Sequence, residues 1–204
     1  MFKIFQTNLS LLRKIMVDAR VIRAQEKYDE VHKELIEAGI KLLSIKPISS
    51  LSLNSLAEYT EVSKTSIYNH FNSSPEHFYY DVLVHCRNYM LDFFNDTAPK
   101  DSKQKIIYFY EIYIDMLKSN TTLCLNLYSQ FFIVNNKARV KLFRNKYLVS
   151  LLEEIGIDDG EVVKELSLEF EMLLYKFFVL DPDSRLFKKY EKEFYKRLKK
   201  TLNY

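Results

Sequence analysis

The chain has 204 residues, of which 48% are hydrophobic and 15% aromatic, enough to bury a substantial core in one or two domains. Three glycines and four prolines give little turn chemistry for a sheet-rich protein, and Leu, Ile, Lys and Glu dominate, so the composition predicts an all-α fold. A formal net charge of +3 selects no class of partner. No apolar run approaches the roughly 20 residues that cross a bilayer, which predicts no membrane partner.

The first 16 residues lack the apolar stretch and small-residue cleavage site of a secretory signal. Cys86 and Cys124 have no metal or redox spacing, so reduced thiols in a cytoplasmic protein are expected. Residues 1–27 read as a helical extension, because Phe2, Phe5, Leu9, Leu12 and Met16 recur in steps of three and four. After one phase slip the same steps run through Val17, Val21, Ala24, Tyr28, Val31, Leu35, Ala38, Leu42 and Ile45, and Pro47 ends the helix. Arg13, Lys14, Arg20, Arg23 and Lys27 either reach phosphate or stay solvated while the stripe packs on the body.

From Ser52 to Phe71 the spacing predicts two short helices around a tight turn at Thr60 and Glu61. Ser52 caps the first, which carries Leu53 and Leu56; Ser63 caps the second, which packs through Ile67 and Phe71. Ser63, Lys64, Thr65, Ser66, Tyr68, Asn69 and His70 are left to face outward, a set of donors and acceptors suited to a DNA major groove. Lys64 stands against Glu58 and Glu61, so the stretch is not a basic patch.

At Ala57, Val62-Ser63-Lys64, Ile67-Tyr68 and His70-Phe71 the chain resembles the TetR family of bacterial transcriptional regulators. Leu35, Ala38, Leu42 and Leu43 extend the match to about residues 35–78. The resemblance implies a helix-turn-helix DNA-binding domain over 28–74 and a larger helical effector-binding and dimerisation domain over 75–204. It adds weight to Lys64, Tyr68 and His70 as contacts to double-stranded DNA. Glu61 stands where the family usually has a turn glycine, which predicts a costly left-handed residue there. Ser74 replaces a lysine that usually meets phosphate.

Ser73 and Glu76 have capping-box spacing around Pro75, opening a helix to about Asn95. Further helices are predicted at 102–118, 121–134, 137–155, 161–180 and 184–202, separated by polar, Gly or Pro breaks. Tyr110, Tyr113, Tyr128, Phe131, Phe132, Tyr147 and Tyr175 are candidates to line a pocket for a small apolar or aromatic effector, against the alternative of ordinary core. Val162, Leu166, Phe170, Leu173 and Phe177, with Phe187, Tyr190 and Phe194, form stripes assigned to a homodimer interface. His77, Asp81 and His85 share one helix face but read as interface or solvent residues, so no metal and no cofactor is expected. Without a phosphate loop, nucleophile elbow or dense His/carboxylate cluster, no enzyme is expected either. The sequence thus points to a ligand-responsive regulator, a repressor on a palindromic operator. The alternative is a dimeric helical interaction protein that has weakened or lost operator binding.

Overall fold

The computed structural model describes residues 2–128, 153, 157 and 160–202, with the backbone alone at 2–18, 128 and 171. Every regular element among the described residues is helical. In chain order they are α1 (Phe2–Ile45), a short 3-10 turn (Ile48–Ser50), α2 (Leu53–Tyr59), α3 (Lys64–His70), α4 (Pro75–Thr97), α5 (Ser102–Ser119), α6 (Thr121–Tyr128), α7 (Gly160–Val179) and α8 (Arg185–Thr201).

The extension and the first packed helix are one unbroken rod of 44 residues. Its end is built from another element. Asn126 of α6 donates through Nδ2 to the carbonyls of Leu43 (2.7 Å) and Lys46 (2.8 Å), and its Oδ1 accepts from the Ile48 amide (3.0 Å). One buried amide side chain thereby satisfies carbonyls that the helix end leaves open and holds the turn at Pro47. The predicted helix 121–134 is described only to Tyr128, and the predicted helix 137–155 lies outside the described residues apart from Glu153.

Two buried clusters share α4. The first joins Leu35, Leu42 and Leu43 of α1 to Leu56, Ile67 and Phe71, to Phe78 and Val82 of α4, and to Leu123 and Leu127 of α6. The second joins Met90 and Phe94 of α4 to the inner faces of α5, α7 and α8. The packing therefore divides part-way along α4, and α6 sits with the amino-terminal cluster.

Gly39 is what lets α4 lie so close to α1. A Cβ at that position would land on the Phe78 ring, with Val82 Cγ2 at 3.3 Å. Alanine normally favours a helix interior over glycine by about 1 kcal/mol, yet here the methyl must displace a buried ring. Gly39→Ala is expected to destabilise the protein by about 1–2 kcal/mol, since overpacking outweighs propensity. A urea melt of the two proteins checks the sign.

Candidate nucleic-acid interface and inter-helix cavity

α2 and α3 are short, and their ends are fixed by hydroxyls. Ser52 Oγ accepts from the Ser55 amide (3.1 Å) while Ser55 Oγ accepts from the Ser52 amide (2.7 Å), a reciprocal cap. Ser63 Oγ accepts from the Ser66 amide (3.2 Å) and starts α3. Thr60 leaves α2 in extended geometry, and Glu61 has no positive φ. The expected left-handed Glu61 is therefore corrected. The left-handed residues are Asn72 (φ 49°) and Ser73 (φ 58°), which end α3, with the Ser73 amide donating to Tyr68 O (2.8 Å). The cap of α4 moves one residue on from the predicted Ser73. Ser74 Oγ accepts from the His77 amide (3.4 Å) and donates to Glu76 (2.7 Å), which together with the backbone holds the Glu76 carboxyl below its ordinary range.

With Ile67 and Phe71 fully buried, α3 turns Lys64, Thr65 and Asn69 to solvent, and Ser63 is exposed at its start. Ser66 and Tyr68 are half-buried, and the Tyr68 hydroxyl donates to Asn54 Oδ1 (3.4 Å), bridging α3 to α2. His70 departs from the expected outward set. It is buried, its ring stacked on Tyr28 of α1 at 4.0 Å, with His32 at 5.5 Å, and its Nδ1 has no hydrogen-bond partner. The physical reason is position: His70 is the last residue of α3, on the side that α1 covers. Burial first, and the neighbouring His32 second, lower its pKa from the ordinary imidazole value. Glu58 and Glu61 are exposed close by in sequence, with no offsetting basic cluster in the two-helix unit.

His77, Asp81 and His85 go three ways. Asp81 pairs with His32 of α1 (3.7 Å), His77 Nδ1 lies 3.5 Å from Asn72 Nδ2, and His85 lines a cavity. Burial raises the Asp81 carboxyl, and His32 and His77 oppose that.

That cavity, about 400 Å³, lies at the seam of the two clusters. Ile40, Leu83, Cys86, Leu123 and Leu127 border it on one side; Met90, Tyr113, Met116, Leu117, Cys124 and Phe178 border it on the other. Of the aromatic effector candidates whose side chains are described, Tyr110, Tyr113 and Tyr175, it is Tyr113 that lines the cavity. Tyr110 is buried in the second core, edge-on to Phe170 (4.5 Å) and Phe194 (4.8 Å), and Tyr175 is half-exposed on the outer face of α7, so both assignments are corrected. The side chain of Tyr128 and all of Phe131, Phe132 and Tyr147 lie outside the described residues.

The dimer stripe is corrected too. Leu166, Phe170, Leu173, Phe177, Phe187 and Phe194 are buried inside the single chain, where α7 and α8 pack against α5, and Val162 and Tyr190 are half-buried at the edge of that core. Tyr190 carries the Lys176 ammonium 3.3 Å above its ring. The apolar face left to solvent on α7 is Leu168, Met172, Tyr175 and Val179, each more than half exposed. Their spacing of four, three and four is visible in the sequence beside that of the buried stripe, so both faces of α7 are apolar. Asn126, Gly39 and the placing of Cys86 and Cys124 around one cavity give no local signal, since each depends on a partner far along the chain.

The chain matches no protein-family model, no curated protein and no solved structure.

A histidine held neutral by burial binds fewer protons folded than unfolded, so its contribution to stability is lost as pH falls below the ordinary value of about 6.5 toward its lowered folded value. Burial raises the Asp81 carboxyl, which acts in the opposite direction. Lowering the pH from 7.5 to 5.5 should therefore lower the melting temperature, and His70→Phe should remove much of that dependence; thermal melts at the two pH values of both proteins test this.

Proposed function

We propose that the chain is a ligand-responsive DNA-binding transcriptional regulator, acting as a homodimer on a palindromic operator and released by a small apolar or aromatic effector, as a repressor of the kind its sequence resembles. The observation that carries this reading is α3: a helix fixed by a hydroxyl cap and two buried anchors, offering Lys64, Thr65 and Asn69 to solvent. Asn69 has the amide pair that suits adenine, while Lys64 lies in the first turn, where phosphate or a guanine edge is met. Tyr68 supports the pose of α3 through Asn54 as well as offering its ring edge. The exposed stripe of Leu168, Met172, Tyr175 and Val179 is the surface for the second subunit, because a continuous apolar face on a helix seeks cover.

A second reading keeps the helical dimer as an interaction protein without operator binding. It is favoured by exposed Glu58 and Glu61 beside Lys64, by Ser74 serving as a helix cap where a phosphate-binding lysine is usual, and by the inward turn of His70.

Selection of bound duplexes from a randomised library separates the two. The regulator reading expects an enriched inverted repeat with half-sites about one helical turn, or ~10 base pairs, apart. Asn69→Ala should then cost about 1–3 kcal/mol and relax one base position, and Lys64→Ala should weaken all sequences and reduce the salt slope by about one. No enrichment at low salt would leave the second reading. For the dimer, Met172→Glu combined with Tyr175→Glu should sediment as a folded monomer, because both side chains are exposed in the single chain; an unchanged dimer would move the interface elsewhere.

A further inference from the structure

The cavity at the seam has a chemistry more specific than its apolar wall. Among the described residues that line it there is no aspartate or glutamate, whereas Arg87 and His85 both border it. Arg87 is exposed, and among the described residues no carboxylate lies within ion-pair distance of it, although Arg20, Arg23 and Lys27 are the sort of surface cations whose solitude means nothing. Arg87 differs because it stands at the edge of a partly open cavity with a largely apolar wall. Its charge also reaches the Tyr113 phenol on the inner wall, where it opposes the upward shift that burial and Cys124 impose. The deeper wall is neutral. Burial pushes the Cys86 thiol up to about 11 and the Cys124 thiol to about 12, so at neutral pH both are protonated and serve as apolar lining with Met90, Met116, Leu117, Leu123 and Leu127.

An apolar cavity with a guanidinium at its edge, and no opposing carboxylate among the described residues, suits a molecule with an apolar body and one negative end. The volume, about 400 Å³, lies toward the lower end of the ~300–1,000 Å³ common for small-molecule sites, so the body is a single chain or ring system. We propose that this cavity binds an anionic amphiphile, an alkyl or aryl carboxylate, with the carboxylate on Arg87 and the body between α4, α5 and α6. The inference rests on the proposed effector-responsive function and gives that effector a site, but it concerns binding alone and is tested without DNA.

The experiment is isothermal titration of the full chain with three probes of one chain length, each below its micelle concentration: decanoate, decanol and decyltrimethylammonium. One decanoate per chain is expected, with decanol about five- to ten-fold weaker because a charge-assisted bond is lost, and the cation weaker still. Arg87→Gln, at an exposed position where the fold does not depend on it, should bring decanoate down to the level of decanol and leave decanol unchanged. Arg87→Lys should recover most of the preference. Equal binding of decanoate and decanol, uptake of several molecules without saturation, or an unaltered preference in Arg87→Gln would each overturn the proposal. Selective one-to-one binding that has no effect on an enriched operator supports it, and counts instead against release of DNA by an effector.

Discussion

The amino-terminal half of the molecule depends on the close approach of α1 and α4 at Gly39. The Phe78 ring occupies the space that a side chain would fill there, and it stands edge-on to Phe71 at 5.1 Å. Phe71 follows α3 directly, so the pose of α3 is set by a ring whose own position is set by a missing methyl. Tyr79, next along α4, donates its hydroxyl to the Leu51 carbonyl (3.1 Å) and ties down the segment entering α2. A mid-helix glycine costs about 1 kcal/mol relative to alanine. Here that cost is offset by the packing of Phe78, Phe71, Ile67 and Leu56 into one dry cluster.

Asn126 gives α6 a comparable hold on the end of α1. Its side chain reaches the Leu43 carbonyl in the last turn of α1, the Lys46 carbonyl just beyond it and the amide that begins the next turn. The neighbouring residues Leu123, Cys124 and Leu127 are cavity wall. α6 therefore borders the cavity through Leu123, Cys124 and Leu127 and holds the end of α1 through Asn126, while Leu123 and Leu127 also belong to the cluster that anchors α2 and α3. A bound molecule can alter the pose of α3 only by preferring one arrangement of that helix over another. The amide makes such a preference expensive to ignore, because moving α6 without α1 would leave buried carbonyls and a buried amide unsatisfied. Met90 and Cys86 of α4 also line the cavity, so α4, which carries Phe78, is a second route of the same kind.

What the sequence made legible was whatever is encoded locally. The helical class, the hydroxyl caps at Ser52 and Ser63, the breaks near Pro47 and Pro99, and the outward Lys64, Thr65 and Asn69 all follow from neighbours a few residues apart. His70 is not legible in this way, because a helix end has no periodicity to say which neighbour covers it; α1 does, through Tyr28. The buried face of α7 is not legible for a different reason. Leu166, Phe170, Leu173 and Phe177 alternate with Leu168, Met172, Tyr175 and Val179 around one helix, and hydrophobicity alone does not rank the two faces. Burial ranks them by shape: Phe170 meets Tyr110 and Tyr113 of α5 edge-on, and Phe177 meets Phe187 of α8 edge-on.

The long α1 shows the same limit from the other side. The steps that run through Val31, Leu35, Ala38 and Leu42, where the helix packs, continue back through Val21, Ala24 and Tyr28. Yet Arg20 to Glu30 are exposed throughout, Val21 and Ile22 by more than half. An isolated helix of this kind is marginal because its first turn is costly, but here the packed portion supplies the nucleus and each further residue adds only a propagation step. The segment from Phe2 to Glu30 would rise about 43 Å at 1.5 Å per residue, longer than the packed part of the same helix. Apolar periodicity thus specifies that a helix forms and which of its faces is apolar. Whether that face is buried is decided by a neighbour, and for Val31 to Leu43 the neighbours are α2, α4 and α6.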